Sequence, residues 1–319
     1  MSNHFNVAQK LGIKLPTPLQ SFSPDWPGAE RVSIHIKRDD QMHPVVSGNK
    51  WRKLSGVFSG PATLPNAILS FGGGFSNPLH ALGYCCHQLN IPFTAVVRGD
   101  YSANPTPMLR DLINWGTRIR YVNRIEYSQR HDHDYLNQLR LAHPDTTLIP
   151  EGGSQQAALT GVQSVITETE HNFDVVICPV ASGATLAGLI TALKPQQRAM
   201  GIAVLKGVGY LESLVEQFLP ARTDNWHIEH DFHHGGYAKT SAPLLTLIQS
   251  VSEQHPLPLE PVYSGKVFFA LKNFERMIQK KIVLFTLKNF QKSIFFVIFL
   301  LKKCALCEYL PLLVHILYF

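Results

Sequence analysis

The segment Asp174–Leu189, DVVICPVASGATLAGL, decides how the rest of the chain is interpreted. Its first half is an unbroken apolar run, which is typical of a parallel strand buried on both faces. A glycine-containing loop follows, and then a run of small and apolar residues that predicts a helix. A strand, a glycine loop and a helix in this order predict a β/α unit whose loop lies where open parallel sheets bind their ligands.

The same alternation extends outward from this segment, from residue 67 to residue 205. Strands are predicted at Ala67–Gly72, Phe93–Arg98, Arg118–Val122, Thr147–Ile149, Asp174–Val180 and Gly201–Leu205. Helices are predicted between them at Asn77–Gln88, Pro107–Trp115, near Glu126–Ala142, and at Gln155–Glu168 and Thr185–Leu193. Alternating strands and helices predict an α/β fold of mostly parallel open sheets with helices on both faces.

The net charge of +6 is confined to the C-terminal part of the chain. Residues 267–319 hold eight of the 29 Lys and Arg residues and two of the 23 Asp and Glu residues, which leaves 21 of each sign in residues 1–266. A balanced main body has no general attraction for nucleic acids or anionic membranes. We therefore expect neither as a partner, and the polar N-terminus, MSNHFNVAQKLG, predicts a cytoplasmic protein without a secretory signal.

Cysteines and histidines give no strong sign of a metal site. Cys85, Cys86 and Cys178 lie in apolar patterns and are expected to be buried thiols, whereas Cys304 and Cys307 form a lone C-x-x-C pair. The histidines at 227, 230, 233 and 234 have no cysteine partner and no regular ligand spacing. We expect no metal.

Three glycine-rich loops that follow strands are candidates for ligand binding. In the loop that begins at Val180, the backbone of Gly183 and the hydroxyls of Ser182 and Thr185 suit a single phosphate; the alternative is a plain turn with Ser182 as N-cap. In SFGGGFSN, Ser76 and Asn77 begin a helix, and Ser76 is either an N-cap or a ligand contact. For PEGGS, which begins at Pro150, a turn and helix cap is favoured over ligand contact.

The stretch SGNKWRKL, from Ser47 to Leu54, contains the candidate catalytic lysine. A lysine in a dry pocket loses its proton and attacks carbonyl groups. Pyridoxal phosphate requires such a lysine, a phosphate site and a polar partner for its ring oxygen, and Lys50, the Ser182–Gly188 loop and Asn77 supply these. Taken alone, KWRK is more often a solvated run of charges.

Taken together, these motifs resemble the family of 1-aminocyclopropane-1-carboxylate deaminase and D-cysteine desulfhydrase, which are pyridoxal-phosphate enzymes of the tryptophan-synthase-β-like fold type II. The resemblance covers roughly residues 10–270, in the order IKRDDQ, SGNKWRKL, GGGFSN, PEGGS, ASGATLAGL, HHGGYAK and EPVYSGK. It implies a two-domain fold with a large cofactor-binding domain, residues 1–54 and 154–266, and a small domain, residues 55–153. We also expect a homodimer.

The resemblance implies a role for each matching residue. Lys50 would bond covalently to the cofactor and later move protons, and Asn77 would hydrogen-bond the cofactor's phenolic oxygen. Ser76 would contact the substrate carboxylate or assist attack on the substrate. The cofactor's phosphate would be held by Ser182, Gly183, Ala184 and Thr185.

Three further roles concern the substrate and the pyridine ring. Tyr237 and Tyr263 would face the substrate, although without the resemblance both are better explained as packing residues. Ser264 stands where the family has a residue near the pyridine nitrogen. An acidic residue is typical of the deaminases at this position, and a hydroxyl resembles the desulfhydrase branch.

The implied reaction converts a small amino acid, 1-aminocyclopropane-1-carboxylate or D-cysteine, to ammonia and a 2-oxo acid, with sulfide from D-cysteine. One alternative is another fold-type-II lyase or dehydratase. A second is an inactive relic, because the family's His-Thr-Gly-Gly turn after VYSGK has no counterpart in this sequence.

Residues 267–319 differ in composition from the rest of the chain. No glycine follows Gly265, and nine of the 18 phenylalanines lie in this segment. Such a segment lacks the residues that form the turns of a β/α fold. Its longest apolar run, Ile294–Leu301, is shorter than the about 20 residues of a membrane-spanning helix. We interpret the segment as atypical, from an altered reading frame or a foreign C-terminus, and expect it to lack the last strand of the large domain.

Overall fold

The computed structural model describes residues 3–58, 64–169, 172–274 and 281–285. The strands in these ranges are β1 Leu19–Phe22, β2 Ser33–Lys37, β3 Ala67–Gly73, β4 Phe93–Arg98, β5 Arg118–Val122, β6 Thr146–Ile149, β7 Val175–Val180, β8 Arg198–Ala203, β9 Trp226–Glu229 and β10 Lys281–Phe285. The helices are α1 Asn3–Lys10, α2 Asn49–Phe58, α3 Asn77–Leu89, α4 Pro107–Asn114, α5 Arg124–Ser128, α6 His133–Ala142, α7 Gln156–Thr167, α8 Ala184–Ile190, α9 Tyr210–Glu216, α10 Ala242–Gln254 and α11 Ser264–Asn273.

The strands form two sheets. One has six strands in the order β1-β2-β10-β7-β8-β9, and the other has four in the order β5-β4-β3-β6. Only the β1–β2 pair is antiparallel among the strand pairs of the described residues. The prediction of an α/β fold with mostly parallel sheets is therefore confirmed.

The predicted elements between residues 67 and 205 are all present, with one difference. The single charged helix predicted near Glu126–Ala142 is two helices, α5 and α6. Asp132 separates them because its carboxylate accepts the backbone N–H of Tyr135 and so caps the start of α6. No helix within the described ranges is long and apolar enough to cross a membrane.

The four-stranded sheet is built from residues 67–149, and the six-stranded sheet takes its strands from both sides of this stretch. The described residues belong to one compact unit by their internal contacts. The domain boundaries at residues 54/55 and 153/154 stay a prediction.

Strand β10 corrects the expectation that the glycine-free segment lacks the last strand of the sheet. Residues 281–285 read KIVLF, and their backbone pairs in parallel with β2 on one side and with β7 on the other. An apolar, β-branched strand needs no glycine, and Leu284 is fully buried in the core between the two neighbouring strands. The reading-frame hypothesis itself, which concerns 267–319, falls largely outside the described residues.

Helix α2 lies unusually close to helix α7, and this contact positions the candidate lysine. A Cβ atom on Gly161 would lie 2.0 Å from the carbonyl oxygen of Arg52, and one on Gly56 would lie 1.7 Å from that of Ala157. Only glycine permits such an approach of two helix backbones. The N-terminal turn of α2 is thereby held over the carboxyl ends of β7 and its neighbours.

A buried network of charges fixes the same helix. The guanidinium of Arg52 donates to both carboxylate oxygens of Asp39 at 2.9 Å, and it also binds the carboxylate of Glu168 through two nitrogens. Such paired hydrogen bonds between planar groups constrain orientation as well as distance. The rotation of α2 about its axis is therefore set by Arg52, which determines where Lys50 and Lys53 point.

Candidate active site

Lys50 is the second residue of α2 and is half-buried. Its Nζ lies 5.9 Å from the centre of the Tyr263 ring. Burial lowers the pKa of Lys50 to about 8, and the nearby Glu260 carboxylate opposes this shift only in part. A substantial fraction of Lys50 is therefore the neutral, nucleophilic amine at weakly basic pH.

The stretch KWRK is not a solvated run of charges. Trp51, Arg52 and Lys53 are each at most 4% exposed. The solvated alternative is wrong because α2 packs on α7 along this face, and because the carboxylates of Asp39 and Glu168 accompany the guanidinium of Arg52 into the interior.

Lys53 lies one turn after Lys50 and is the main site residue that the sequence reasoning missed. Its Nζ donates to the backbone carbonyl of Gly152 at 3.2 Å and to the hydroxyls of Ser154 and Ser182 at 3.0 and 3.2 Å. Burial lowers the pKa of Lys53 to about 7, and the nearby charge of Lys50 lowers it further. None of the ion pairs among the described residues includes Lys53, so an anionic ligand would stabilise its protonated form.

The loop after β7 approaches the backbone of another segment closely. Gly183 has φ +78°, and a Cβ atom there would lie 2.3 Å from the carbonyl oxygen of Leu214. Gly183, not Ser182, is the N-cap of α8, so the predicted capping alternative for Ser182 is wrong. The hydroxyl of Ser182 is directed instead to Lys53 and Ser154.

The start of α8 adds further polar groups. Ala184 is its first residue, and the hydroxyl of Thr185 accepts a hydrogen bond from the Asn49 side-chain amide at 3.4 Å. The Oδ1 atom of Asn49 is buried and has no hydrogen-bond partner in the structure. Such an atom is costly unless a ligand or a water molecule satisfies it.

Ser154 corrects the interpretation of PEGGS as a turn and helix cap. The N-cap of α7 is Gln155, and no side chain caps this helix. The Oγ atoms of Ser154 and Ser182 are 2.7 Å apart, and both contact Lys53. Ser154 is displaced from the cap by one position because the chain turns at Gly152 and Gly153, both of which have positive φ.

Ser76 and Asn77 lie at the carboxyl end of β3, at the start of α3. Ser76 is the N-cap of this helix, and its hydroxyl accepts the backbone N–H of Leu79 at 3.3 Å. The capping alternative for Ser76 is thus present in the structure. Ser76 and Asn77 are half-buried. Their roles toward a substrate and a cofactor stay predictions.

Tyr237 and Tyr263 are brought together from two separate segments. Their hydroxyl oxygens are 3.2 Å apart, and their rings meet edge to face. Tyr237 is 57% exposed, so it is not a packing residue of the core. Burial and the neighbouring Tyr237 hydroxyl raise the pKa of Tyr263 well above its usual range, so its hydroxyl keeps its proton at neutral pH.

Ser264 is buried beside a carboxylate that the sequence reasoning did not single out. Its hydroxyl lies 3.1 Å from Oε1 of Glu260 and accepts the backbone N–H of Glu260 at 3.0 Å. The Glu260 carboxylate also accepts the backbone N–H groups of Val262, Tyr263 and Ser264. Glu260 therefore caps α11, and its negative charge acts on Lys50.

Histidines of the segment 227–234 form hydrogen bonds with neighbouring side chains and are not arranged as a set of metal ligands. His230 contacts the carboxylate of Glu212, and His234 contacts the hydroxyl of Ser241. Within the described ranges, no group of three or more His, Cys, Asp or Glu residues is arranged to hold a metal ion. Cys85, Cys86 and Cys178 are buried free thiols, as predicted; Cys304 and Cys307 lie outside the described residues.

Comparisons with known proteins agree with this geometry. The family model described as pyridoxal-phosphate dependent enzyme matches residues 12–288. A mitochondrial bifunctional D-cysteine desulfhydrase/1-aminocyclopropane-1-carboxylate deaminase of Arabidopsis thaliana is 26% identical over 81% of this chain and 71% of its own length. A D-cysteine desulfhydrase of Serratia proteamaculans is 26% identical over 83% of this chain and 90% of its own length.

The fold is shared with solved structures. A crystal structure described as an ACC deaminase homologue superposes with a TM-score of 0.74 at 23% identity, over 95% of this chain and 99% of the other. At this identity the likeness concerns the fold, which is that of fold-type-II pyridoxal-phosphate enzymes.

Proposed function

Because this chain belongs to the pyridoxal-phosphate dependent enzymes, we propose that it is a deaminase or desulfhydrase of small amino acids. It releases ammonia and a 2-oxo acid from 1-aminocyclopropane-1-carboxylate or D-cysteine, and sulfide as well from D-cysteine. The relatives named for these two activities support the proposal. The observation that carries it is the buried pair of lysines, in which Lys53 meets the loop of Ser182 while Lys50 stands beside Tyr263.

The residues present fit the phosphate of the cofactor. Lys53 has no carboxylate partner among the described ion pairs, and its amine contacts the hydroxyls of Ser154 and Ser182. A bound phosphate would favour the protonated form of this buried amine. Hydroxyls, backbone N–H groups and a lysine are a common donor set for phosphate. The Leu214 carbonyl oxygen leaves no room for a side chain at position 183. We assign Lys53, Ser154, Ser182, Gly183, Ala184 and Thr185 to the phosphate site.

Lys50 is assigned the covalent attachment of the cofactor. Its pKa is lowered to about 8, so a substantial fraction of the side chain is the neutral amine at weakly basic pH. Attack on an aldehyde requires this neutral form. The same amine then carries a proton to and from the substrate. Bound pyridoxal phosphate supplies the electron-withdrawing ring that stabilises negative charge on the substrate's α-carbon.

The remaining assignments follow the resemblance residue by residue. Asn77 contacts the phenolic oxygen, Ser76 contacts the substrate carboxylate or assists attack, and Tyr237 and Tyr263 face the substrate. By the same resemblance, we assign Ser264 to the pyridine nitrogen. Its hydroxyl lies against the Glu260 carboxylate, so it stabilises a protonated ring less than a carboxylate would, which favours D-cysteine as the substrate.

Two further properties stay predictions from the sequence, namely the cytoplasmic location and the homodimer. Among the alternatives, another fold-type-II lyase or dehydratase is distinguished by its substrate. The inactive-relic alternative gains no support, because the family match continues to residue 288 and strand β10 is present.

The attachment site is tested by trapping. The purified chain is mixed with pyridoxal phosphate, reduced with borohydride and digested, and the mass of each peptide is measured. We expect the added mass on the peptide that contains Lys50. Lys50→Ala should abolish it, whereas Lys14→Ala, at an exposed lysine, should leave it unchanged. Labelling of several exposed lysines, without preference for Lys50, would refute the attachment.

The reaction is tested with a panel of substrates. The loaded protein is incubated with D-cysteine, L-cysteine, D-serine and 1-aminocyclopropane-1-carboxylate, and 2-oxo acid and sulfide are measured. We expect equal amounts of sulfide and 2-oxo acid from D-cysteine. Turnover of D-serine with none of D-cysteine would favour a dehydratase. No turnover of any substrate by unreduced, cofactor-loaded protein, when a separate sample traps the cofactor on Lys50, would favour the relic.

A further inference from the structure

Lys266 is a completely buried lysine on α11 whose charge meets backbone oxygens instead of a carboxylate. Its Nζ donates to the carbonyl oxygens of Val204 at 3.0 Å and of His233 and Gly236 at 2.8 Å each. An ammonium group has three N–H donors, so all of them are used. None of the ion pairs of the described residues includes Lys266.

The position of Lys266 is unfavourable for the helix that carries it. It is the third residue of α11, and the aligned peptide dipoles of the helix give this end a partial positive charge. A buried cation at this end destabilises the helix, and the capping carboxylate of Glu260 offsets this only in part. A neutral side chain of the same size would be more favourable for α11. The charge of Lys266 is therefore explained by the segments whose carbonyl oxygens it contacts, and not by the stability of its own helix.

We infer that Lys266 is a positioning residue: its ammonium fixes the turn at residues 233–236, and thereby Tyr237, against the end of strand β8. Val204 directly follows this strand, and its N–H donates to the carbonyl of Val180 at the end of β7. The turn is thus connected through Lys266 to the end of β8, and through Val204 to the end of β7, which precedes the phosphate loop.

The turn needs such an anchor because its backbone is in an unfavourable conformation. His234 and Ala238 have φ of +53° and +55°, and Gly235 and Gly236 also have positive φ. Left-handed backbone costs about 1–2 kcal/mol per non-glycine residue. Backbone hydrogen bonds within the turn are few, from Gly236 to His233 and from Lys239 to Gly236.

The anchored turn leads directly to the candidate site. Gly236 precedes Tyr237, whose hydroxyl lies 3.2 Å from that of Tyr263. The Tyr263 ring in turn lies 5.9 Å from the Nζ of Lys50. The inference rests on the proposed function only for the statement that Tyr237 faces the substrate; the anchoring itself does not depend on it.

Hydrogen exchange of the full-length chain tests the anchoring. We expect Lys266→Met to speed exchange in residues 233–239 at least about tenfold, which corresponds to the loss of one charged hydrogen bond, and to leave exchange in β7 unchanged. Lys272→Met, at an exposed position of the same helix, should change neither region. Equal acceleration in β7, or failure of Lys266→Met to fold, would overturn the inference, because the contact would then support the whole fold.

Chemical rescue gives a second readout. In Lys266→Ala, propylammonium supplies the deleted carbons and the ammonium group. We expect it to restore slow exchange in residues 233–239, whereas tetramethylammonium, which has no N–H donor, should not. Equal effects of the two salts would count against the inference.

Turnover of D-cysteine completes the test. If Lys266 acts through Tyr237, the single substitution Lys266→Met should lower kcat. In a protein that already carries Tyr237→Phe, the same substitution should lower kcat little further. Fully additive losses would contradict action through Tyr237. Absence of turnover of both D-cysteine and 1-aminocyclopropane-1-carboxylate by the wild type would refute the proposed function, while the exchange experiments would still decide the anchoring.

Discussion

The hydroxyl oxygens of Ser154 and Ser182 lie 2.7 Å apart, although 28 residues separate them in the chain. Each also contacts the ammonium of Lys53, which comes from a third segment. Two loops and helix α2 thus direct donors to one point, where a phosphate would replace contacts that the polar groups now make with each other. This convergence is the basis of the first prediction.

Lys53→Met should weaken the binding of pyridoxal phosphate about 10- to 100-fold, because it removes one charged hydrogen bond to the phosphate. Pyridoxal, which lacks the phosphate, is the matched ligand, and its affinity should change less than about threefold. Titration followed by absorbance measures both. Equal losses for the two ligands would show that Lys53 does not bind phosphate.

Gly183→Ala should destabilise the protein more than Gly209→Ala. The two glycines have the same backbone angles, φ 78° and ψ −40°. A Cβ atom at Gly183 would lie 2.3 Å from the Leu214 carbonyl oxygen, whereas one at Gly209 meets nothing within 4 Å. We expect an additional loss of about 1–3 kcal/mol at Gly183, measured by urea unfolding. Equal losses would mean that the backbone strain alone is responsible.

The stability of the apoprotein should rise with pH between about 8 and 10.5 through Lys50. Its pKa is about 8 when folded and 10.5 in the unfolded chain, so in this window the unfolded state binds more protons. Lys50→Met should therefore reduce the slope of unfolding free energy against pH, by at most about 1.4 kcal/mol per pH unit. The control is Lys14→Met, at an exposed residue. An unchanged slope in Lys50→Met would indicate that the folded-state pKa is not lowered.

Ser264→Asp should be less stable than Ser264→Asn at pH 7. The new carboxylate would be buried beside that of Glu260, which lies 3.1 Å from the present hydroxyl, and like charges at such a distance repel. The two variants have nearly the same shape, so thermal unfolding at pH 7 and pH 4 isolates the charge. We expect the difference to shrink at pH 4. A constant difference would exclude repulsion as its cause.

The order of strands and helices from residue 67 to residue 205 was predictable because it depends on local apolar runs and glycine turns. The glycine loop after the strand at 174–180 pointed to Gly183, and the motif SGNKWRKL pointed to Lys50 as the candidate lysine; their roles toward a cofactor stay predictions. The sequence reasoning missed Lys53 and Glu260 because a charge in a sequence does not reveal whether it is buried, and only the packing of α2 on α7 decides this for Lys53.

Ser154 shows a second limit of the sequence. A serine just before a helical pattern favours a cap, yet the turn at Gly152 and Gly153 moves the helix start by one residue. Ser76 follows the rule and is the cap. Strand β10 was not expected either, since its place depends on long-range pairing with β2 and β7 and not on turn residues.

The position of β10 in the middle of the six-stranded sheet also affects how the protein is made. During synthesis, β2 and β7 emerge from the ribosome long before residues 281–285, and within the sheet they are joined only through this late strand. Until it arrives, both strands present unpaired backbone edges to other nascent chains. The sheet is therefore completed only after residues 281–285 have been synthesised, and chains that stop before residue 281 leave the edges of β2 and β7 open to pairing with other chains.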